Sequence, residues 1–541
     1  MVMWSPRFPS VTNMRKSRGT IEELNNPCGS EQMRYGKTEG GIILNVLYTP
    51  IITIKTYTGN IDMEAVLSWS LQHFSVINQS ELSFYSHLFV SEGVALDITI
   101  LTFGFGAAVG FAAFGYLHIF LLMRWGLCTG TIIMVIGSSL MVTGAAIEIL
   151  ALFAFGRFFF GIGVGIFVGF QIIYINDVSL KEHRAQLNVF TGITPVFGAL
   201  LASVVSSPFV MGTSRSFFYL YIICLVPVIP YFIWLICVTY EPPISYLLSS
   251  DEHRAQRSAE FFYSIEAADE VLAEAYNRIR AQPAVPTLHT VWMSKLGRKT
   301  LLVSMTVNLA ASFAGERFLL YSMKTFFVGH TLLYYMCFFT CTVFALVVMG
   351  ALLFLVGNYE RRTLLMISIS GVMASEAILG MVSSWSPLIP QLLYAVLAFV
   401  SCAAHQLFYA LGIGSLSWFI ADEISFAGSN VVVLSTTMIG RMVVSIFQPL
   451  IYSALQAVSP ALSSLFVVGL LFGCFVIVFF FVPNINDLEP NDVLAQLGFS
   501  LELNATNEEA TEVLENMHRL WIAPCELANP SMYSGTQEGE E

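Results

Sequence analysis

Residues 412–425 read GIGSLSWFIADEIS, a segment of apolar and small residues that ends in two adjacent acids, Asp422 and Glu423. An earlier apolar run ends in a similar way. Residues 175–179, INDVS, align with residues 421–425, ADEIS, so that an acid, a β-branched residue and a serine fall in register. A second pair consists of 121–126, LLMRWG, and 355–364, LVGNYERRTL, each a basic turn between two apolar runs. Matching segments at equivalent positions predict a chain built from two repeated halves.

The composition indicates an integral membrane protein. The chain has 541 residues, of which 56% are hydrophobic and 11% charged, and its mean hydropathy is +0.70. Soluble domains carry about 25% charged residues. A helix needs about 20 apolar residues to cross the bilayer core. We therefore predict twelve transmembrane helices, centred on residues 41–56, 95–117, 127–147, 150–173, 186–207, 217–239, 300–323, 331–356, 364–383, 391–421, 431–455 and 459–482.

The order of apolar and polar segments predicts five units. They are a cytoplasmic N-terminal segment (1–40), a six-helix bundle (41–239), a cytoplasmic helical linker (240–299), a second six-helix bundle (300–482) and an acidic cytoplasmic tail (483–541). Nineteen of the 25 Lys and Arg residues then lie on the cytoplasmic side, a bias that supports cytoplasmic termini. The sequon at Asn78 would lie outside, where it is open to glycosylation. With no clear internal-membrane address in the tail, the plasma membrane is the default expectation.

Several classes of function are excluded. The formal net charge of −12 and the lack of a basic face argue against nucleic-acid binding. We find no phosphate-binding glycine loop, no Cys/His cluster and no nucleophile constellation, so we expect neither an enzyme nor a bound metal or cofactor. The glycines of GIGVG (161–165) suit close helix packing instead. The expected partners are the lipid bilayer and a small-molecule solute, and the oligomeric state is left open.

Several motifs resemble the sugar porter family of the major facilitator superfamily. They are GRFFFGIGVG (156–165), YINDVSLKEHR (174–184), ERR (360–362) and GSLSWFIADEIS (414–425), with weaker matches in EPPISYLL (241–248) and VPNINDLEPND (482–492). The resemblance covers about residues 40–490 and implies the all-α major facilitator fold, with twelve transmembrane helices in two six-helix pseudo-repeat bundles. It also implies transport of a small polar solute.

The resemblance implies a salt-bridge latch that holds the cytoplasmic helix ends together. In this family, acids at the ends of spans four and ten pair with arginines of neighbouring cytoplasmic turns. By that analogy Asp177 and Glu423 would face four arginines, which are Arg124, Arg184, Arg361 and Arg362. Asp422 has no family counterpart and is expected to be an additional acid. The alternative is that these are solvated interface charges that only set the topology.

The solute pocket departs from the family. Ala310 and Ala311 stand where the family has two glutamines, and Gly192 stands at the position of a third. Glu316 and Arg441 lie near two family asparagines. Sugar hydroxyls taken from water must regain hydrogen bonds, so the loss of amides puts sugar recognition in doubt. Alternatively, Glu316 lies near the outer mouth and Arg441 pairs within the bundle.

Trp418 is the strongest candidate for contact with a sugar, because an indole can stack on the ring and donate one hydrogen bond. Gly414 belongs to the same motif and is grouped with the substrate site. Arg157 is an intramembrane cation for which we favour a structural bond between helices. His405 is expected to form an interhelical hydrogen bond, and Glu376 is expected near the outer interface.

The leading functional hypothesis is transport of a small polar solute, most simply a hexose or related sugar, by alternating access. The first predicted span has no acid, which favours uniport over proton coupling. An organic-ion carrier of the same fold is the second hypothesis, motivated by Glu316 and Arg441. A third is a non-transporting sensor or scaffold with a degenerate pocket.

Overall fold

A computed structural model of the chain describes residues 92–482 apart from 148, 180, 206–218, 220–221, 223–227, 238, 249–250, 264–267, 270, 274, 277–286, 315–322, 324–330, 386–387, 389 and 426–428. Throughout these residues the regular secondary structure is helical. The first half contributes α1 (Glu92–Leu117), α2 (Met123–Ala146), α3 (Leu150–Val178), α4 (Lys181–Val205) and α5 (Val228–Cys237). Three short helices follow, α6 (Pro243–Leu248), α7 (Glu252–Phe262) and α8 (Leu288–Met293).

The second half contributes seven more helices. They are α9 (Lys295–Phe313), α10 (Thr331–Leu355), α11 (Arg361–Ser384), α12 (Gln391–Leu411), α13 (Ile413–Glu423), α14 (Asn430–Val458) and α15 (Pro460–Phe481). In the described part of the chain, seven helical segments are long and apolar enough to cross a membrane. Every predicted span except 41–56 contains or overlaps at least one of the helices α1 to α15. That span, the segment 1–40 and the tail 483–541 lie outside the described residues.

Glycines on two faces of α3 set the packing of the first half. Gly163 faces α2, where an added Cβ atom would lie 2.6 Å from the backbone nitrogen of Met134. Gly165 faces α1, where an added Cβ atom would lie 2.6 Å from the backbone nitrogen of Phe111. Since only glycine permits such backbone contact, α3 is the central helix against which α1 and α2 pack.

The tenth predicted span is broken at Gly412, between α12 and α13. The Ser368 hydroxyl of α11 donates to the Phe408 carbonyl at 2.7 Å and accepts from the Ile413 amide at 2.9 Å. These two bonds replace helix hydrogen bonds that the break removes, as a membrane interior requires. A Cβ atom at Gly412 would lie 2.6 Å from the Cβ of Ser368, so glycine allows this approach.

The two halves meet along two seams. In one seam α1 packs against α14, where Gly115 lies beside Ser435. In the other, α4 packs against α10 and α13. A Cβ atom at Gly192 of α4 would lie 2.5 Å from the Cα of Ser415, so α13 approaches α4 as closely as a backbone can. The helix α13 of the second half therefore lies at the interface with the first half.

Glu241 ties the linker to the first half. Its carboxylate accepts hydrogen bonds from the backbone amides of Met123 and Arg124 in the first turn of α2. A negative charge at a helix N-terminus is favourable because of the helix dipole. Burial nevertheless raises the pKa of Glu241 above its ordinary value, and the two amide bonds oppose that shift.

We expect Gly163→Ala to destabilise the protein by about 1–3 kcal/mol, because the added methyl group must displace the backbone of α2. Gly350→Ala is the matched control, since a Cβ atom there would have no neighbour within 4 Å. Thermal unfolding of the purified protein in detergent measures both. Equal melting temperatures for the two variants would contradict this account of the packing.

We expect Glu241→Ala to lower the melting temperature, since it leaves two amides of α2 without a side-chain acceptor, at a cost of about 1–3 kcal/mol. Because the folded-state pKa of Glu241 is raised, its contribution to stability is fullest below the unfolded-state pKa and is lost as pH rises through the folded-state pKa. Glu241→Gln should remove this pH dependence. Melting temperatures of the three proteins across acid and neutral pH test both statements.

Candidate functional site

Trp418 and Arg441 form the centre of a buried polar site in the second half. Trp418 lies on α13 and Arg441 on α14, with exposed fractions of 7% and 4%. The guanidinium carbon of Arg441 lies 4.0 Å from the centroid of the Trp418 ring. A cation over an indole face is attracted by the ring quadrupole, so the two side chains fix each other.

Two neutral acceptors complete the contacts of the guanidinium. Arg441 donates to the Asn308 Oδ1 atom at 3.3 Å and to the Ser417 hydroxyl at 2.9 Å. Asn308 lies on α9, and its amide donates to the Ser304 carbonyl at 3.0 Å, which directs Oδ1 towards Arg441. Ser312, one turn further along α9, bonds weakly to the Arg441 carbonyl at 3.4 Å. The site thus joins α9, α13 and α14.

The chemistry of this site differs from a purely neutral sugar pocket. In the part of the chain that the structure describes, no carboxylate forms an ion pair with Arg441. An indole face beside a guanidinium, an amide and a hydroxyl can stack on a ring and bind hydroxyl or carboxylate oxygens. Glu316, the acid expected nearby, lies outside the described residues.

The positions that carry glutamines in the family are closed by packing in this chain. Ala310 and Ala311 of α9 are buried in the core. Gly192 contacts Ser415, so the third position belongs to a seam between the halves. Gly414 contacts the Tyr409 ring, to which an added Cβ atom would lie 2.8 Å away. Gly414 therefore makes a packing contact, and the polar contacts of the site come from other side chains.

A second polar cluster lies where α3 and α13 end. The Asn176 amide of α3 donates to the Asp422 carboxylate of α13, and the Asn188 amide of α4 donates to Asn176 Oδ1 at 2.6 Å. Asp422 and Asn176 are counterparts in the sequence repeat. The acid that the family analogy treats as additional therefore makes the hydrogen bond between the two halves.

Glu423 lies between cations of both halves. Its carboxylate is 3.6 Å from Arg361 Nε, with 11% and 9% of the Arg361 and Glu423 side chains exposed. Arg184, from α4 of the first half, interacts electrostatically with Asp422 and Glu423. Arg184 also donates to the Ser179 carbonyl at 3.4 Å. Three of the six predicted latch residues are thus brought together: Glu423, Arg361 and Arg184.

Two other predicted latch residues, Arg124 and Arg362, have different surroundings. Arg124 donates to the Ile236 carbonyl of α5 and lies 5.9 Å from the Trp125 ring. Arg362 donates to the Phe479 carbonyl of α15 and lies 5.4 Å from the Phe479 ring. Both arginines therefore contact helices of their own half. Asp177 is partly buried at the end of α3.

Arg157 and Glu376 are buried charged residues away from both clusters. Arg157 is 1% exposed, and its guanidinium lies 5.9 Å from the Phe103 ring of α1. Glu376 has an exposed fraction of 0%, and its location near the outer interface stays a prediction. Its carboxylate lies 2.6 Å from Nδ1 of His405. His405 makes the expected interhelical hydrogen bond, with Nε2 2.9 Å from the Ala314 carbonyl. The predicted glycosylation site, Asn78, lies outside the described residues.

Sequence reasoning missed the polar partners of these charges. Asn308 and Ser417 give no pattern beyond a polar residue within an apolar run. Asn176 and Asn188 differ in this respect. The repeat alignment already pairs Asn176 with Asp422, and Asn188 lies 12 residues after Asn176, about two turns into the next helix. A two-fold repeat brings equivalent positions together near its axis, so the alignment carried a signal for this contact.

Comparisons with known proteins agree with the fold and the motifs. The family model "Sugar (and other) transporter" matches residues 68–489. The facilitated glucose transporters member 3 and member 1 of Gallus gallus are each 22% identical to this chain, over 306 and 283 residues. These matches span 54% and 50% of this chain and 59% and 56% of the relatives. They therefore cover less than two thirds of either relative.

Among solved structures, the proton:xylose symporter XylE bound to 6-bromo-6-deoxy-D-glucose superposes with a TM-score of 0.68. It is 16% identical, and the superposition covers 85% of this chain and 99% of that structure. At this identity the likeness concerns the fold, which is the all-helical major facilitator fold. Since the family model matches most of its length, the chain belongs to the sugar (and other) transporter family.

Proposed function

We propose that this multi-pass membrane protein moves a small polar solute, a hexose or related sugar in the first instance, by alternating access. The observation that carries the proposal is the position of α13. This one helix bears Trp418 in the buried site and Asp422 and Glu423 at the contact between the halves. A change at the contact is therefore transmitted along a rigid helix to the site. We further propose cytoplasmic termini and a plasma-membrane location.

The cluster at the ends of α3 and α13 would act as the cytoplasmic gate. Asp422 bonds to Asn176 of the other half, and Arg184 of that half faces both acids. Opening this side must break these contacts between the halves. The pair Glu423–Arg361, by contrast, lies within one half and would keep the acid positioned during the movement. Alternating access needs such contacts to be reversible, and partial exposure of charges at a membrane edge limits their cost.

Two solute classes fit the buried site. A sugar would stack on Trp418 and exchange hydrogen bonds with Asn308, Ser417 and Arg441. A carboxylate-bearing organic solute is the second candidate, because the Arg441 guanidinium bonds to neutral acceptors in the described structure. Arg441 would contact the solute in either case, but only a carboxylate-bearing solute requires the positive charge of Arg441.

Uniport is the simpler transport mode for this chain. The first predicted span contains no acid that could carry a coupling proton. In uniport, a solute gradient alone drives uptake, and an imposed proton gradient does not concentrate the solute. Accumulation of solute against its gradient in response to an inward proton gradient would contradict this part of the proposal.

Loss of Asp422 should open the cytoplasmic gate. We expect Asp422→Ala to raise labelling of a cysteine at Ser179, a residue 5% exposed at the end of α3, by about fivefold or more, since a lost hydrogen bond is worth about 1 kcal/mol. Membrane-impermeant maleimide and peptide mass spectrometry distinguish this cysteine from the native ones. The matched control is Glu360→Ala, because Glu360 contacts Thr363 of its own half. Equal labelling of the two variants would refute the gate.

Uptake measurements in proteoliposomes test the solute. We expect saturable uptake of radiolabelled glucose, lowered about fivefold by Trp418→Ala, because loss of a stacking aromatic costs about 1 kcal/mol. Trp385→Ala is the matched control, since Trp385 is 53% exposed at the end of α11.

The charge of Arg441 separates the two solute classes. With a neutral sugar as solute, Arg441→Gln should retain part of the uptake, because an amide can still donate to Asn308 and Ser417. With an organic anion, the same substitution should abolish uptake. If the wild-type protein moves neither glucose nor organic anions despite correct insertion, the sensor or scaffold hypothesis replaces transport.

A further inference from the structure

The corner between α8 and α9 lies outside the solute site and the proposed gate. Ser294 ends α8 and begins α9, and its hydroxyl accepts a hydrogen bond from the Gly297 amide at 2.9 Å. A Cβ atom at Gly297 would collide with the Val291 carbonyl oxygen, so glycine lets the two helices meet in a tight corner. The predicted span 300–323 begins directly after this corner, which therefore lies at the expected edge of the membrane.

Three cations share one face of α9 at its start. Lys295, Arg298 and Lys299 are spaced at i, i+3 and i+4, so their side chains are neighbours on the helix surface. Lys295 and Arg298 are exposed, and Lys299 is half-buried. Residues 287–314 contain no Asp or Glu, so no acid of this segment offsets the charge. The start of α9 therefore presents a concentrated positive surface.

The same face of α9 continues as an apolar surface. Leu302 lies one turn beyond Arg298 and Lys299 and is 55% exposed. On the other side of the corner, Trp292 and Met293 of α8 are 47% and 63% exposed. Tryptophan is enriched where a protein crosses the membrane–water interface. Positive charge followed by apolar surface matches the order of headgroup and acyl chain in an anionic phospholipid.

We propose that the corner of α8 and α9 binds an anionic phospholipid at the membrane edge. The binding surface consists of Trp292, Met293, Lys295, Arg298, Lys299 and Leu302. The Arg298 guanidinium can bind two phosphate oxygens at once, and the lysines add positive charge without a fixed geometry. An acyl chain lies along Leu302, while Trp292 enters the interface beside the headgroup. Each cation near an anionic lipid surface strengthens binding about fivefold.

The linker helix α7 offers a useful contrast, because its charges are balanced. Residues 251–262 contain two arginines and three acids. Arg254 forms an ion pair with Asp251, with Nε 3.1 Å from the carboxylate. The partly exposed Phe261 ring stacks on Tyr240, with 4.2 Å between the ring centroids. Arg254 is therefore an exposed cation that already has an acidic partner, and it serves as the matched control.

Lipid bound at this corner would stabilise a helix of the solute site. The helix α9 carries Asn308, whose Oδ1 atom accepts from Arg441 at 3.3 Å, and α8 packs against both α9 and α14. This consequence rests on the proposed function: uptake would be faster in membranes that contain anionic lipid. Binding of the lipid itself is measured without any solute. A failure of transport and a failure of this inference are therefore distinguishable.

Native mass spectrometry of the full-length protein with added lipid measures the affinity. Dioleoyl phosphatidylserine should bind about tenfold or more tightly than dioleoyl phosphatidylcholine. Arg298→Gln should lower the affinity for phosphatidylserine about fivefold and leave that for phosphatidylcholine unchanged. Arg254→Gln should keep both wild-type affinities. Wild-type affinity for phosphatidylserine in the Arg298→Gln protein, also the result expected if another segment of the chain covers the surface, would overturn the proposal.

Photolabelling locates the bound lipid in the wild-type protein, independently of any variant. Phosphatidylserine with a diazirine in its acyl chain should label the peptide that contains Leu302. Labelling confined to other helices would contradict the proposed surface. Water-soluble glycerophosphoserine should compete poorly, because it lacks the acyl chain that contacts Leu302. Displacement of the lipid by an equal concentration of glycerophosphoserine would assign the surface to a soluble anion and overturn the lipid assignment.

Discussion

The hydrogen bond between Asn176 and Asp422 is the constraint on which the arrangement of the two halves depends. A carboxylate at the buried junction of two helix bundles needs partners, because an unsatisfied charge there is costly. Asp422 finds one in the other half, and Arg184 of that half adds an opposite charge. The contact is thus favourable only while the halves are together at this end. It stabilises one arrangement of the bundles and is lost in any arrangement that separates them.

The helix α13 connects this contact with the buried polar site around Trp418 and Arg441. It runs without interruption from Ile413 to Glu423, so Trp418 and Asp422 move as one body. The helix is interrupted at Gly412, just before α13 begins, and the Ser368 hydroxyl forms hydrogen bonds on both sides of this interruption. A broken helix that stays hydrogen-bonded can tilt at the break without exposing backbone groups to lipid. The break is therefore a suitable pivot, and Gly192 allows α13 to pack tightly against the other half.

The sequence predicted the helices well because a membrane span is determined by local composition. Each described helix of the two bundles falls on a predicted apolar run, and the family motifs identified the fold. The sites were harder, because they depend on which faces of distant helices meet. The analogy with the family placed the latch at Glu423, whereas Asp422, one residue earlier and on a different helix face, makes the bond between the halves. The burial of Glu376 was not predicted for the same reason, since composition does not show which side of α11 faces α12.

The altered pocket follows from the rule that buried polar groups need partners. Arg441 could not replace an asparagine in an apolar bundle without acceptors, and Asn308 and Ser417 supply them. At the same time, the family's glutamine positions hold Ala310, Ala311 and Gly192, which are closed by packing. The polar groups have therefore been relocated to a neighbouring set of side chains that satisfy one another. A solute bound at the proposed site would have to offer acceptors at least as good as these, because otherwise the guanidinium loses bonds on binding. Specificity at the proposed site would consequently depend on the acceptors that the solute offers to Arg441 as much as on its contact with Trp418.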